Sequence, residues 1–144
     1  LRFEGAATST PAPGVLAALA EASTIIIAPS NPLVSLGPLW SVPGLADAVK
    51  ARRSNVVAVS PIVDGAALKG PAARMLTELG HEASVVGVAN LYKDLASVLV
   101  IDHADAHLAN QVESTGMRCV VTDTIMSSPE VSAALASTVL ECGS

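Results

Sequence analysis

Aromatic side chains are almost absent: Phe3, Trp40 and Tyr92 are the only three in 144 residues. So few rings leave almost nothing on which to stack bases, which argues against single-stranded nucleic acid as a partner. Positive charge is short as well, with 8 Lys and Arg against 13 Asp and Glu and a net charge of −5. No broad basic face can neutralise a phosphate backbone, so duplex nucleic acid is disfavoured too. The longest apolar runs, such as residues 24–28 and 98–101, fall far below the ~20 residues of a membrane-spanning helix. No membrane partner is expected. Cysteine is limited to Cys119, in a hydrophobic run, and Cys142, near the end of the sequence. That pair forms no disulfide framework and has no metal-ligand spacing. One buried thiol and one tail thiol in a reducing cytoplasm are expected. GxGxxG, a P-loop and a Ser-His-Asp order are missing as well, so hydride transfer with a built-in dinucleotide motif and covalent acyl transfer lack support.

What is present is apolar. Hydrophobic residues make up 51% and charged ones 15%, which excludes intrinsic disorder, and the length suits one core. The opening Leu1-Arg2-Phe3-Glu4-Gly5-Ala6 resembles the end of a strand, which predicts that residues 1–144 are the C-terminal part of a single domain whose N-terminal part is absent. Residues 13–22 carry Val15, Leu16 and Leu19 on one face and predict a helix. The β-branched run at 24–28 has no alternation and predicts a strand covered on both faces. The pattern then repeats, with helices expected at 45–53, 71–79, 105–114 and 129–141 and strands at 55–60, 98–101 and 117–122. A short strand is expected at 81–83, a helix capped by Ser84 runs over Val88, Leu91, Tyr92 and Leu95, and Gly80 and Gly116 act as helix stops. Strands separated by helices specify an α/β domain with a mainly parallel sheet.

Two connections are longer than the usual ~2–6 residues, and both leave strands on their C-terminal side. The first, residues 29–44, is stiff with proline and carries Ser30, Asn31 and Ser35; the second, residues 60–70, ends at the proline-started helix. Ligands of open α/β sheets sit beyond the strand C-termini, and free N–H groups at helix N-termini there suit anions. A phosphate-bearing small molecule is the natural ligand class. Lys69 and Arg74 are candidate phosphate contacts, with solvated surface charge as the plain alternative. Ser30, Asn31 and Ser35 are equally explained as turn residues bonding their own backbone, and Trp40 as a packing residue. His103 and His107, four apart beside Asp102 and Asp105, have a metal-ligand spacing, but a helix N-cap at either aspartate explains the same letters better. Asp123 falls at the C-terminal edge of its strand.

The two loops carry a resemblance. Ile26-Ile27-Ala28-Pro29-Ser30-Asn31-Pro32, Ser35-Leu36-Gly37-Pro38, Pro43-Gly44, Val59-Ser60-Pro61-Ile62 and Lys69-Gly70-Pro71-Ala72 resemble the 2-phospho-L-lactate transferase (CofD-like) family of coenzyme F-420 biosynthesis. Gly87-Val88-Ala89, Leu91-Tyr92-Lys93-Asp94, Val100-Ile101-Asp102 and Val121-Thr122-Asp123-Thr124-Ile125-Met126 extend the similarity over nearly the whole chain. The resemblance implies a Rossmann-like three-layer enzyme that moves a phospholactyl, phosphoenolpyruvyl or phosphoglyceryl group. The donor would be linked to guanosine diphosphate, the acceptor would be the ribityl hydroxyl of a deazaflavin (Fo), and GMP would leave. It implies Mg²⁺ as cofactor, with ligands outside these residues, and leaves a homodimer open. By motif position, Ser30, Asn31, Pro32, Ser35 and Gly37 would line the substrate crevice, while Ser60, Pro61, Lys69 and Gly70 would face the donor. No residue is singled out as catalytic. The family's glycine-rich first loop and metal-holding aspartates have no counterpart here, so this span alone is expected to be inactive. The alternative is a non-catalytic nucleotide-sugar-binding regulator of the gluconeogenesis-factor type on the same fold, but those proteins lack the Ser-Pro-Ile and Lys-Gly-Pro elements. A degenerate domain kept for oligomer contacts is the third reading.

Overall fold

A computed structural model describes residues 1–67 and 71–143. Leu1–Phe3 form no strand, contrary to the sequence expectation; Gly5 turns the backbone into a single 3-10 turn, Ala6–Thr8. Helix α1 (Val15–Glu21) leads into strand β1 (Ile25–Ile27). After α2 (Gly37–Trp40) and α3 (Leu45–Lys50) comes β2 (Val56–Val59). A small hairpin of β3 (Ile62–Val63) and β4 (Ala66–Ala67) follows, then α4 (Ala72–Glu78) and α5 (Val85–Tyr92). Strand β5 (Val98–Asp102), helix α6 (Ala109–Glu113), strand β6 (Arg118–Thr122) and helix α7 (Pro129–Cys142) complete the described chain.

The main sheet runs β1-β2-β5-β6, every pair parallel, with Ile25 opposite Val56, Val57 opposite Val98 and Val98 opposite Arg118. Because successive side chains in a strand point to opposite faces, the two central strands feed two cores. Ala58, Leu99 and Ile101 join Leu76, Val88, Tyr92 and Val112 from the helices on one face. Val57, Val59, Val98 and Val100 meet Leu135 and Val139 of α7 on the other. The result is a helix–sheet–helix sandwich, the α/β, Rossmann-like three-layer class expected from the alternation of elements.

Ser84 caps α5 as expected, its hydroxyl accepting from the N–H groups of Val86 and Gly87, both at 3.1 Å. Gly80 and Gly116 sit at positive φ just beyond helices. Three other expectations fail for local reasons. β1 is covered on one face only: Ile27 is 4% exposed but Ile26 is 46% exposed, because the buried residues that α7 brings to that face, Leu135 and Val139, pack with β2 and β5. Residues 81–83 form no strand, since they are taken up in the approach to the Ser84 cap. The helix expected over 105–114 begins instead as a 3-10 segment, His103–Leu108, and becomes α-helical only at Ala109.

Candidate functional site

The C-terminal ends of β1, β2 and β6 open into one crevice of about 600 Å³, within the usual range for small-molecule sites. Ser30, Asn31 and Ser35 come to it from the loop after β1, and Ser60 and Pro61 from the end of β2. Pro71 and Ala72 enter at the start of α4, and Thr124, Ile125 and Met126 follow β6. Five of the nine residues chosen from sequence therefore converge.

Pro32 and Gly37 do not line it. Pro32 is buried in packing. Gly37 begins α2 beneath the ring of Phe3, and a Cβ there would stand 2.9 Å from Phe3 Cζ; its smallness serves that contact. Lys69 and Gly70 lie outside the described residues. Arg74 pairs with Glu78 at 3.3 Å on an exposed helix face, the solvated reading.

The loop after β1 is shaped by Asn31. Its Oδ1 accepts from the N–H groups of Leu33 and Val34 at 2.9 and 3.3 Å, and its Nδ2 donates to Met75 Sδ at 3.6 Å. Such an Asx turn explains the proline-rich stretch without requiring a ligand. Ser60 is likewise committed, donating to the Ile62 carbonyl at 3.0 Å and accepting the Ile62 N–H at 3.1 Å. Thr124 donates its hydroxyl to Asp102 Oδ2. Among the described residues this leaves the Ser30 and Ser35 hydroxyls as the crevice's uncommitted side-chain polar groups. Around them the wall is apolar, with Val34, Ile125 and Met126 exposed.

Asp102 caps the 3-10 segment through Ala104 N–H, as one of the two alternatives for the His-Asp cluster required. His103 and His107 are exposed, and His103 Nε2 lies 3.9 Å from Asp123 Oδ1 in an open pair. No group of three His, Cys, Asp or Glu among the described residues is placed to hold a metal ion. Burial tends to raise the Asp102 pKa, but hydrogen bonds from Thr124 and Ala104, with His103 nearby, outweigh it and hold the carboxyl below its ordinary value.

The wall formed by Thr124, Ile125 and Met126 was not chosen from sequence as a site. The rule that singled out the first two loops, position beyond a strand's C-terminus, applies equally to β6 and would have found it.

Neither cysteine is bonded, and both are half-buried, so Cys119 is less enclosed than its hydrophobic run implies. Burial, and after it the charge of Glu113, push the Cys119 thiol up to about 11. A thiol this high is almost all protonated at neutral pH, which removes it as a nucleophile. In a competition with a free thiol of ordinary pKa at pH 8, Cys119 is expected to alkylate on the order of a hundredfold more slowly. Mass mapping after brief iodoacetamide treatment checks this, and labelling of Cys119 as fast as the free thiol would refute it.

Among the described residues no helix is long and apolar enough to cross a membrane. Residues 2–139 match the family described as 2-phospho-L-lactate transferase CofD. A phosphoenolpyruvate transferase of Kitasatospora aureofaciens is 43% identical over 94% of this chain and 43% of its own length. The 2-phospho-L-lactate transferase of Methanothermobacter thermautotrophicus is 40% identical over 81% of this chain and 37% of its own. That of Methanocaldococcus jannaschii is 35% identical over 99% of this chain and 44% of its own. The chain thus spans less than half the length of the curated relatives it matches.

Proposed function

This chain belongs to the 2-phospho-L-lactate transferase CofD family, and on that premise we propose that it serves in transferring a phospholactyl, phosphoenolpyruvyl or phosphoglyceryl group in coenzyme F-420 biosynthesis. The donor is linked to guanosine diphosphate and the acceptor is the ribityl hydroxyl of the deazaflavin Fo. A bond forms between that oxygen and the donor phosphorus nearest the three-carbon acid, the P–O bond to GMP breaks, and GMP leaves with the electron pair while the hydroxyl gives up its proton. Positioning and charge neutralisation carry most of such a transfer, so a crevice whose described lining holds no strong side-chain base suits it. Magnesium belongs to this proposal as the ion the family resemblance implies, with its ligands expected outside these residues, and no step here depends on it. The proposal assigns turnover to a protein of the relatives' length rather than to this span, in a cytoplasmic setting that fits two unbonded cysteines.

The observation that carries the reading is the crevice itself: family motifs on three separate loops meet at the strand ends around two free hydroxyls in an apolar wall. We assign the Ser30 and Ser35 hydroxyls to the polyol chain of the acceptor, with Val34, Ile125 and Met126 against its ring. Replacing both serines by alanine removes two neutral hydrogen bonds, together about 1–3 kcal/mol, or on the order of 10- to 100-fold in affinity. Fluorescence titration with the deazaflavin measures it. An unchanged dissociation constant in the double variant would refute the assignment.

A further inference from the structure

We propose that Asp102 is a positioning residue of the crevice, acting through Thr124 on the wall formed by Ile125 and Met126. Asp102 ends β5, one strand in from the sheet edge, and is 8% exposed. Its Oδ1 accepts from Ala104 N–H at 3.0 Å; its Oδ2 accepts both the N–H of Thr124, at 2.9 Å, and the Thr124 hydroxyl, at 3.2 Å. One carboxylate therefore ties the start of the segment after β5 to the start of the segment after β6. Thr124 is 4% exposed, whereas Ile125 and Met126 next to it are 42% and 56% exposed. Beyond them Ser127 N–H bonds back to the Ile125 carbonyl, and the next fixed point is Ser128, which caps α7 through Val131 N–H. The crevice wall thus spans two anchors, and the upstream one is held by the Asp102 carboxylate.

Carboxylate chemistry explains the choice of side chain. Three donors converge on its two oxygens, and an ionised carboxylate has acceptor sites for all of them and no proton to conflict with any. An alanine would leave the Thr124 N–H and hydroxyl without a partner in a nearly dry position, the situation that most favours movement of the backbone. Nothing in this argument requires Asp102 to touch a ligand. Its consequence for the acceptor rests on the reading under Proposed function; its consequence for the wall does not.

The test uses the protein's three methionines as reporters: Met126 on the wall, Met75 against Asn31, and Met117, 2% exposed, just before β6. With methyl-labelled methionine, Asp102→Ala is expected to shift or broaden the Met126 methyl signal while leaving Met117 in place, and to weaken deazaflavin binding on the order of tenfold. Thr124→Val, which keeps the N–H bond and removes the hydroxyl, is expected to move Met126 in the same direction by less. A Met126 signal unchanged in Asp102→Ala overturns the proposal. So does movement of Met126 and Met117 together, which would make Asp102 a general stabiliser of the fold. If Asp102→Ala does not fold, Thr124→Val decides: movement confined to Met126 supports the proposal, and none overturns it. Failure of the wild-type protein to bind deazaflavin would remove the functional reading and leave the methyl readout of the wall standing.

Discussion

Gly87→Ala is expected to destabilise the protein by about 1–3 kcal/mol, although helix propensity alone predicts the opposite sign. In an exposed helix interior, replacing glycine by alanine gains about 1 kcal/mol. Gly87 lies in the first turn of α5 and is buried, and a Cβ built on it would stand 1.8 Å from the carbonyl oxygen of Glu82 and 2.8 Å from its carbonyl carbon. Both are backbone atoms, so no rotamer change can relieve the contact. The residues that lead into α5 would have to move, disturbing the Ser84 cap that satisfies the N–H groups of Val86 and Gly87. Overpacking costs of about 1–3 kcal/mol, with roughly 1 kcal/mol more for a weakened cap, exceed the propensity gain. Urea unfolding measures the result, and a variant as stable as the wild type would show that the α5 entry can yield.

Leu99→Ala should cost about 3–5 kcal/mol, a large part of the ~5–15 kcal/mol stability of an ordinary domain. Leu99 is fully buried in β5, paired with Ala58 on one side and Cys119 on the other. It faces the core shared with Leu76, Val88 and Val112. Neighbours held in a sheet collapse poorly into a void, which places the cost toward the upper part of the range seen for such truncations. A lowering of the denaturation midpoint worth under about 1 kcal/mol would contradict the assignment of Leu99 to the centre of the core.

The elements legible in the sequence were those whose signal is local. Strands β2 and β5 announce themselves as unbroken valine-rich runs, and α7 as the helix expected over 129–141, with Pro129 at its start. What escaped was hidden in the loops or set by distant partners. Residues 62–67 hold a hairpin whose Asp64-Gly65 turn has positive φ at both positions, and Asp-Gly between apolar pairs is a recognised hairpin signal. That turn is held by the buried carboxylate of Asp105, which accepts the Asp64 N–H at 3.0 Å. No spacing rule links residues so far apart. Arg52 is similar: its guanidinium donates to the carbonyls of Leu19, Ala20 and Ala22, closing the end of α1, where composition indicates only a surface charge. In the crevice, Ser30, Asn31, Ser35, Ser60 and Pro61 were legible because strand ends are where α/β ligands gather. Pro32 and Gly37 share the motif yet do not line the crevice, because motif membership does not distinguish a residue that lines a cavity from one that packs behind it.

Strand order has a consequence for how the chain reaches this state. The four parallel strands lie in the sheet in the order in which they occur along the chain. No pairing can form by a tight turn, and each must wait for a crossover to close. Loop closure becomes harder as the intervening chain lengthens. Val98 and Arg118 are the nearest partners in sequence, whereas Ile25 must find Val56 and Val57 must find Val98. Folding is therefore expected to begin with β5, α6 and β6, with the β1–β2 pair as the next closure and the pairing of β2 with β5, the most distant in sequence, as the last, at the slower rates that sequence-distant pairings impose. The crevice draws walls from β1, β2 and β6 alike, so it is complete only when the last of these strands has docked.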